Sequence, residues 1–517
     1  MGESRTSKSI KNSIVALAFY FVGLALQFIS RKIFLDYLGT EVLGLNTTAT
    51  NLLQFLNIAE LGISSAISFS LYKPLYNNDT DTINEIVSLQ GWLYRNIAFI
   101  IIAGAMILMC FFPWIFSKTP LPLWYSYASF GVLLFSSLLG YFVNYKQIVL
   151  TANQQDYKIQ YSYQSVMILK RIAQIVALSS LENSYVWWLI IESIFAIIGA
   201  ASLEVMTRIS CPYLKPDLSK GKILQKKYPE VGTKIKQVFF HKIGTFALTQ
   251  TSPLIIFAYA SLSYVTLYGN YMMIIAGVTS LMTAMFGSMN AGVGNLVAEG
   301  NDERSFSVFR ELFSIRFIFV CTICYGVYVL TPDFIALWIG KEYILPNTTL
   351  AIMVLLLFVN LSRSTVDAFI GAYGLYDDIW APVVESVINI GLSILLGYFW
   401  GLNGILLGVL ISLLLVIVLW KPYWLFRRGF KIKTHKYFIF YLSHIAIGFA
   451  VWFVSSVICD LLPLNSGGDF MSLAITAFTR CLLYMFLITL IIVIIDKNVR
   501  NRLFALCTTF RKKLSIF

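Results

Sequence analysis

The fold class the sequence predicts is an all-α polytopic membrane protein of about fourteen transmembrane helices, and three observations predict it. First, 58% of the 517 residues are hydrophobic and 13% charged, against roughly 45–50% and 25% in soluble domains. With 39 basic and 26 acidic residues, a soluble chain of this size could not cover its surface. Soluble, disordered, disulfide-scaffold and nucleic-acid-binding classes are thereby excluded. Second, the chain holds a series of apolar stretches of ~20 residues, the length that crosses ~30 Å of hydrocarbon as a helix. Third, its basic residues fall on alternate loops.

Fourteen such stretches run over 12–35, 43–71, 91–116, 123–145, 160–180, 186–206, 238–259, 266–298, 308–330, 349–372, 382–399, 402–420, 438–459 and 471–495. The first follows Arg5, Lys8 and Lys11 and ends in Arg31-Lys32 with no small-residue cleavage site, so it reads as an uncleaved helix. The fifth carries Lys170 and Arg171 near its middle. Loop charges test the count, because demoting either span would put its neighbours on the wrong side. Counting Arg310, at the edge of the ninth span, with its loop, loops on one side hold 28 Lys/Arg, those on the other hold Lys118 and Lys341, and nine basic residues lie deeper within spans. The positive-inside rule then puts both termini in the cytoplasm. The basic stretch Arg427-Arg428…Lys431…Lys433…Lys436 follows a span directly and suits anionic lipid headgroups.

Six spans (1–210) precede the longest inside loop (211–237), which reads as a linker. Six more follow (238–430), and residues 431–517 supply helices thirteen and fourteen and a basic cytoplasmic tail. A shift of 223 positions brings Gln27 onto Gln250 and Asn78-Asp79 onto Asn301-Asp302. An even number of spans per half makes this a parallel repeat, as in alternating-access transporters.

Apart from Arg310 and Glu311 at the very start of the ninth span, nine cations (Arg31, Lys32, Arg95, Lys170, Arg171, Lys242, Arg316, Arg363, Arg480) and five anions (Glu60, Glu192, Glu204, Asp367, Glu385) fall within spans. Each charge at the bilayer centre costs ~2.5–3.5 kcal/mol and needs water, a partner or a substrate. Arg95, Lys242, Glu204 and Glu385 lie near span ends, where they can sit in the interface. Arg363 and Asp367 are spaced i,i+4 and form a pair on one face, structural or coupling. Lys170 and Arg171 point ~100° apart and cannot share one partner. The in-span surplus of cations suits an anionic cargo, since Arg binds phosphate oxygens through a fork and Lys as a point charge. An exporter of cationic drugs would need the opposite sign. Glu60, mid-way along the second span, can exchange a proton or bind sodium, or neutralise a cation such as Arg31.

No enzymatic constellation competes. His241, His435 and His444 are scattered, Cys321-x-x-Cys324 lies inside a span without partner ligands, and no phosphate loop or nucleophile elbow occurs. No metal or organic cofactor is expected.

The segment Ser30-Arg-Lys-Ile-Phe-Leu-Asp-Tyr-Leu-Gly-Thr-Glu-Val-Leu-Gly-Leu45, with Asn57-Ile-Ala-Glu-Leu-Gly-Ile-Ser-Ser-Ala66 and Tyr72-Lys-Pro74, resembles the bacterial polysaccharide-biosynthesis flippases (Wzx-like) of the multidrug/oligosaccharidyl-lipid/polysaccharide exporter superfamily. The resemblance implies two six-helix lobes in a V around a central cavity, plus two extra C-terminal helices. It implies movement of undecaprenyl-pyrophosphate-linked oligosaccharide units across the inner membrane, for surface polysaccharides such as O-antigen, lipopolysaccharide or capsule. Implied partners are the lipid-linked oligosaccharide, membrane lipids, and the polymerase and glycosyltransferases of the same pathway. The related lipid II flippases are similar too: Arg31 before Gly39 and Ala59-Glu60 match their pattern. Their paired arginines before that acid have no counterpart here, where Phe55 and Leu56 stand.

The expected activity is therefore that of a non-enzymatic alternating-access lipid-linked oligosaccharide flippase. Arg31, Lys32, Lys170, Arg171, Arg316 and Arg363 are expected to line a cationic cavity. Glu60 and Asp367 are the candidates for coupling to H+ or Na+. The rival readings are a lipid II flippase, a cation-coupled multidrug exporter, and a membrane glycosyltransferase or polymerase. The last usually carries a large external loop, and the longest outside loop here, 331–348, is short.

Overall fold

The computed structural model describes residues 5–60, 62–117, 119–259, 261–286, 293–294, 296–297, 299–375, 377–378, 380–462, 468–496 and 500. It is 89% helix, and no strand occurs among the described residues. In a bilayer this follows from the backbone, whose polar groups must be satisfied within each segment. Ten of the described helices are long and apolar enough to cross a membrane, and the chain is a multi-pass membrane protein. The structure divides it into two compact units, Met1–Thr266 and Leu267–Phe517.

The first unit holds α1 (Arg5–Leu56), α2 (Ile63–Asn77), α3 (Thr80–Cys110), α4 (Leu123–Phe142), α5 (Ser165–Ser180), α6 (Ser184–Ser210), α7 (Pro229–Tyr259) and the start of α8 (Leu262–Phe286). Gly39, at φ 79° and ψ 177°, breaks α1 into two predicted spans. Only glycine adopts that geometry without strain. The second span is interrupted again by a 3₁₀ turn, Asn57–Glu60, and by Gly62 at φ 98°. A Cβ on Gly62 would press on the backbone of Ile235 and Phe239, so a side chain there would push α2 off α7. Asp79 starts α3 as its N-cap, accepting from the Thr82 amide at 3.0 Å and hydroxyl at 2.7 Å. Ile67, Leu71, Val87, Ala98, Val149 and Leu150 form the core of this unit.

Residues 213–228 dock on the first turns of α3. Asn84 donates to the Tyr213 carbonyl and accepts from the Lys215 amide, Lys227 pairs with Glu85 at 2.6 Å, and Gly221 lies against the Trp92 ring. The segment expected as a linker thus has its own polar anchors on the first unit.

The second unit holds the rest of α8, then α9 (Asp302–Trp338), α10 (Asn347–Ser362), α11 (Ser364–Tyr373), α12 (Trp380–Leu413), α13 (His435–Asp460) and α14 (Phe470–Ile495). Its core is aromatic: Phe309, Phe313, Phe317, Phe369, Phe426 and Phe430 are buried together with Tyr437 and Tyr441. Within α12, Trp400 and Gly401 leave helical geometry and fold the chain into an antiparallel pair of predicted spans. A Cβ on Gly404 would overlap the backbone of Leu396, and one on Gly408 that of Ser393. Two glycines one turn apart thus let the helices touch backbone to backbone, the usual close contact of membrane helices.

Candidate functional site

In the first unit, the adjacent cations of the fifth span part company. Lys170 Nζ donates to Glu192 Oε1 at 2.6 Å, and Gln174 Nε2 donates to Glu192 Oε2 at 2.9 Å. Glu192 is 7% exposed, so α5 and α6 share a buried ion pair whose second carboxylate oxygen is also satisfied. Arg171, one position on and ~100° around the helix, turns to α1 instead. Its Nη1 donates to the Gly23 carbonyl at 2.6 Å. No carboxylate of the described residues lies within ion-pair distance of Arg171.

Arg31 is half-buried and donates to the Thr266 carbonyl at 3.2 Å. Lys32 points away from it, is exposed, and sits 3.5 Å from Asp36 one turn along the same helix. Beside them Thr40 and Ser263 hydroxyls meet at 3.0 Å, and Ser263 donates to Glu41 at 2.6 Å. Thr40 and Ser263 are 223 positions apart, the offset that aligns the two halves of the sequence.

Glu60 closes the 3₁₀ turn that interrupts the second span. Ser64 and Tyr94 hydroxyls both donate to its Oε1 at 2.8 Å and lie 2.6 Å from each other. These are neutral donors, so they stabilise a carboxylate without cancelling its charge. Interrupted membrane helices form ion sites in transporters, where freed backbone carbonyls and half-helix ends face the ion.

In the second unit, Arg316 is 5% exposed. Its fork reaches the Ser364 hydroxyl at 3.3 Å, the Thr365 hydroxyl at 3.4 Å and the Phe286 carbonyl at 3.3 Å, with the Phe286 ring 5.2 Å from the guanidinium. Nε has no hydrogen-bond partner, and no carboxylate of the described residues lies within ion-pair distance. Arg363, just before Ser364, pairs with Asp367 at 2.7 Å. The structure thus brings Arg316, Arg363 and Asp367 to one place, the junction of α10 and α11.

Glu385 joins them unexpectedly. The sequence places it near a span end, where an interfacial role is expected, yet it is 3% exposed on α12 and its Oε1 has no partner. Asn389, one turn on and 1% exposed, has an unpartnered Oδ1. The i,i+4 spacing was readable in the sequence. The burial was not, because it comes from packing of the α12 hairpin; Arg363 and Lys421 lie close enough for their charges to act on the carboxylate. Tyr94 could not be read from the sequence either, standing 34 positions from Glu60. His444 is core: its ring nitrogens meet the Ser314 hydroxyl at 3.0 Å and the Phe440 carbonyl at 2.9 Å. Cys321 and Cys324 are free thiols buried in α9.

The fold is similar to that of transporters of the MOP superfamily. Lipid II flippase MurJ, in an inward closed conformation, superposes with a TM-score of 0.62 at 14% identity, over 94% of this chain and 99% of that one. An inward-facing multidrug resistance MATE family transporter of the MOP superfamily gives 0.58 at 14% identity, over 78% of this chain and 94% of that one. An outward-facing MATE family transporter of the same superfamily gives 0.52 at 12% identity, over 82% and 96%. No protein-family model and no curated protein matches the chain. These similar structures are transporters and flippases rather than enzymes.

Proposed function

We propose that this chain is an alternating-access flippase of the bacterial inner membrane. It moves an undecaprenyl-pyrophosphate-linked oligosaccharide from the cytoplasmic to the periplasmic leaflet for surface polysaccharide synthesis, with both termini in the cytoplasm. The observation that carries the reading is the pair Arg171 and Arg316. Both guanidiniums donate hydrogen bonds to neutral acceptors alone among the described residues, Arg316 within a helix long and apolar enough to cross the membrane and Arg171 with Glu192 acting on its charge from beyond ion-pair distance. A membrane helix tolerates an arginine whose charge no carboxylate cancels when an anion or water meets it, and a guanidinium fork fits phosphate oxygens. Arg31, Lys32 and Arg363 add positive potential, while Lys170 serves mainly to hold Glu192. Glu60 and Asp367 remain the candidates for H+ or Na+ coupling, and Glu385 joins them on the strength of its burial.

The test is export in a strain lacking its own flippase. Wild-type chain should restore surface polysaccharide, and Arg171→Ala or Arg316→Ala should reduce it by about ten-fold or more at equal protein level, the loss of one charged hydrogen-bonding group. Normal export by both variants overturns the assignment. Lipid II flipping is the second reading, favoured by a fold likeness that runs over nearly the whole of both chains. Rescue of cells depleted of their lipid II flippase, without rescue of surface polysaccharide, would establish it.

A further inference from the structure

Within the first unit, a groove of about 320 Å³ runs between α1 and the segment entering α5, lined by Phe19, Tyr20, Gln27, Gln160, Gln164 and Arg171. That volume is at the small end of ligand pockets, roughly 300–1,000 Å³, and leaves room for a sugar ring and its substituents.

The helical wheel shows which way the groove faces. On α1, Tyr20, Gly23 and Gln27 follow one another at i, i+3, i+7, and Arg31 continues that stripe one turn on. The exposed Phe21, Val22 and Ile29 lie on the opposite face. On the facing segment, Gln160, Gln164 and Arg171 share one side, while exposed Leu169, Ile172 and Val176 point the other way. Each helix therefore has two exposed faces, one apolar and one polar. The apolar faces suit lipid. Gln27 and Gln164 are exposed, and an amide turned to hydrocarbon without a partner costs several kcal/mol, so the polar faces enclose water. A π-helical turn, Gln160–Gln164, carries two of the three groove amides, those of Gln160 and Gln164. Such turns widen the helix locally and are frequent at functional sites.

The chemistry of the lining is specific. Three amides present both donors and acceptors, which match the vicinal hydroxyls of a sugar. Phe19 and Tyr20 supply ring faces, with Tyr161 edge-on to Phe19 at 6.0 Å. Rings of this kind pack the apolar C–H face of a pyranose. Arg171 commits its Nη1 to the Gly23 carbonyl, which fixes the guanidinium beside the groove and leaves other donors to it. No acidic residue lines the groove.

We propose that this groove is a glycan subsite, in which Gln27, Gln160 and Gln164 read the hydroxyl pattern of one sugar of the cargo and Tyr20 packs against its ring. The proposal rests on the flippase reading for what fills the groove, and its residues determine which cargo is accepted.

Two measurements on the purified full chain test it. In a background with the native cysteines replaced, Gln27→Cys and Gln164→Cys should react with a charged, membrane-impermeant thiosulfonate, and Leu169→Cys should not. Unreactive groove cysteines overturn the proposal. The second is saturation-transfer NMR with methyl glycosides of glucose, galactose, N-acetylglucosamine and glucuronic acid. At least one should bind, and Gln27→Ala and Gln164→Ala should each weaken it about five-fold, with Leu169→Ala unchanged. Reactive cysteines without glycoside binding mean a water-filled groove alone and also overturn it. The two readings fail separately: sugar binding without polysaccharide export removes the flippase assignment, and export unaffected by Gln27→Ala and Gln164→Ala removes the subsite.

Discussion

Lys170 on α5 and Glu192 on α6 form an ion pair of 2.6 Å, with Gln174 holding the second carboxylate oxygen. The pair locks α5 to α6 and removes one of two adjacent charges from the interior. What remains exposed to function at that level is Arg171, turned toward α1.

Breaking that pair should be costly on one side alone. Lys170→Met or Glu192→Gln leaves a buried charge without its partner, a loss of roughly 3–5 kcal/mol. Thermal unfolding in detergent should show both single variants well below wild type. The double variant Lys170→Met/Glu192→Met should recover most of the difference.

The cluster around Glu60 should govern ion dependence. Glu60→Gln removes the ionisable group and keeps its shape, so proteoliposome transport should lose its response to an imposed proton or sodium gradient. Tyr94→Phe removes one hydroxyl donor worth roughly 1.5–3 kcal/mol to a carboxylate. It should shift the ion concentration at half-maximal rate by about ten-fold or more without abolishing transport. A gradient response retained by Glu60→Gln would remove Glu60 from the coupling role.

Glu385 should trade stability against activity. Its buried, unpartnered oxygen costs roughly 1–3 kcal/mol, so Glu385→Met, which removes the carboxyl group and keeps its length, should raise the melting temperature. If the acid takes part in coupling, the same variant should lose transport, the exchange expected where a strained group serves function. A more stable variant with full transport would make Glu385 a structural residue.

The hairpin in α12 should tolerate no side chain at its crossing. Gly404→Ala and Gly408→Ala place a methyl group against the backbones of Leu396 and Ser393. Separation of the two helices should cost about 1–3 kcal/mol or more, seen as lower yield and a lower melting temperature. Gly391→Ala, with open space around it, is the matched control.

The N-cap of α3 predicts a pH dependence. The Thr82 hydroxyl and amide hold the Asp79 carboxyl below its ordinary value. A group whose folded value is depressed stabilises the fold above its unfolded value, near 3.8, and that stabilisation fades as pH falls through the folded value. Asp79→Ala should therefore melt lower than wild type at neutral pH, with the gap closing below pH 4.

Much of this protein was legible in the sequence because the bilayer leaves few choices. Hydrophobic stretches of fixed length must become helices, so the helical spans and the breaks between 35 and 43 and between 399 and 402 follow from hydropathy, while the structure set those breaks at Gly39 and Gly401 and interrupted the second span again at 57–62. The Arg363–Asp367 pair followed from i,i+4 spacing. Tertiary structure decided which in-span charges are cancelled and which are left. Glu192 found Lys170 across a helix pair, Tyr94 found Glu60 from another helix, and Glu385 was buried by a hairpin. The physical reason is that helical periodicity fixes the direction of a side chain relative to its own helix. Which neighbour, lipid or water that direction meets depends on packing between helices, and a one-dimensional pattern does not contain it. That is also why Gln27 and Gln164, unremarkable in sequence, became the polar walls of a groove once α1 and α5 were side by side.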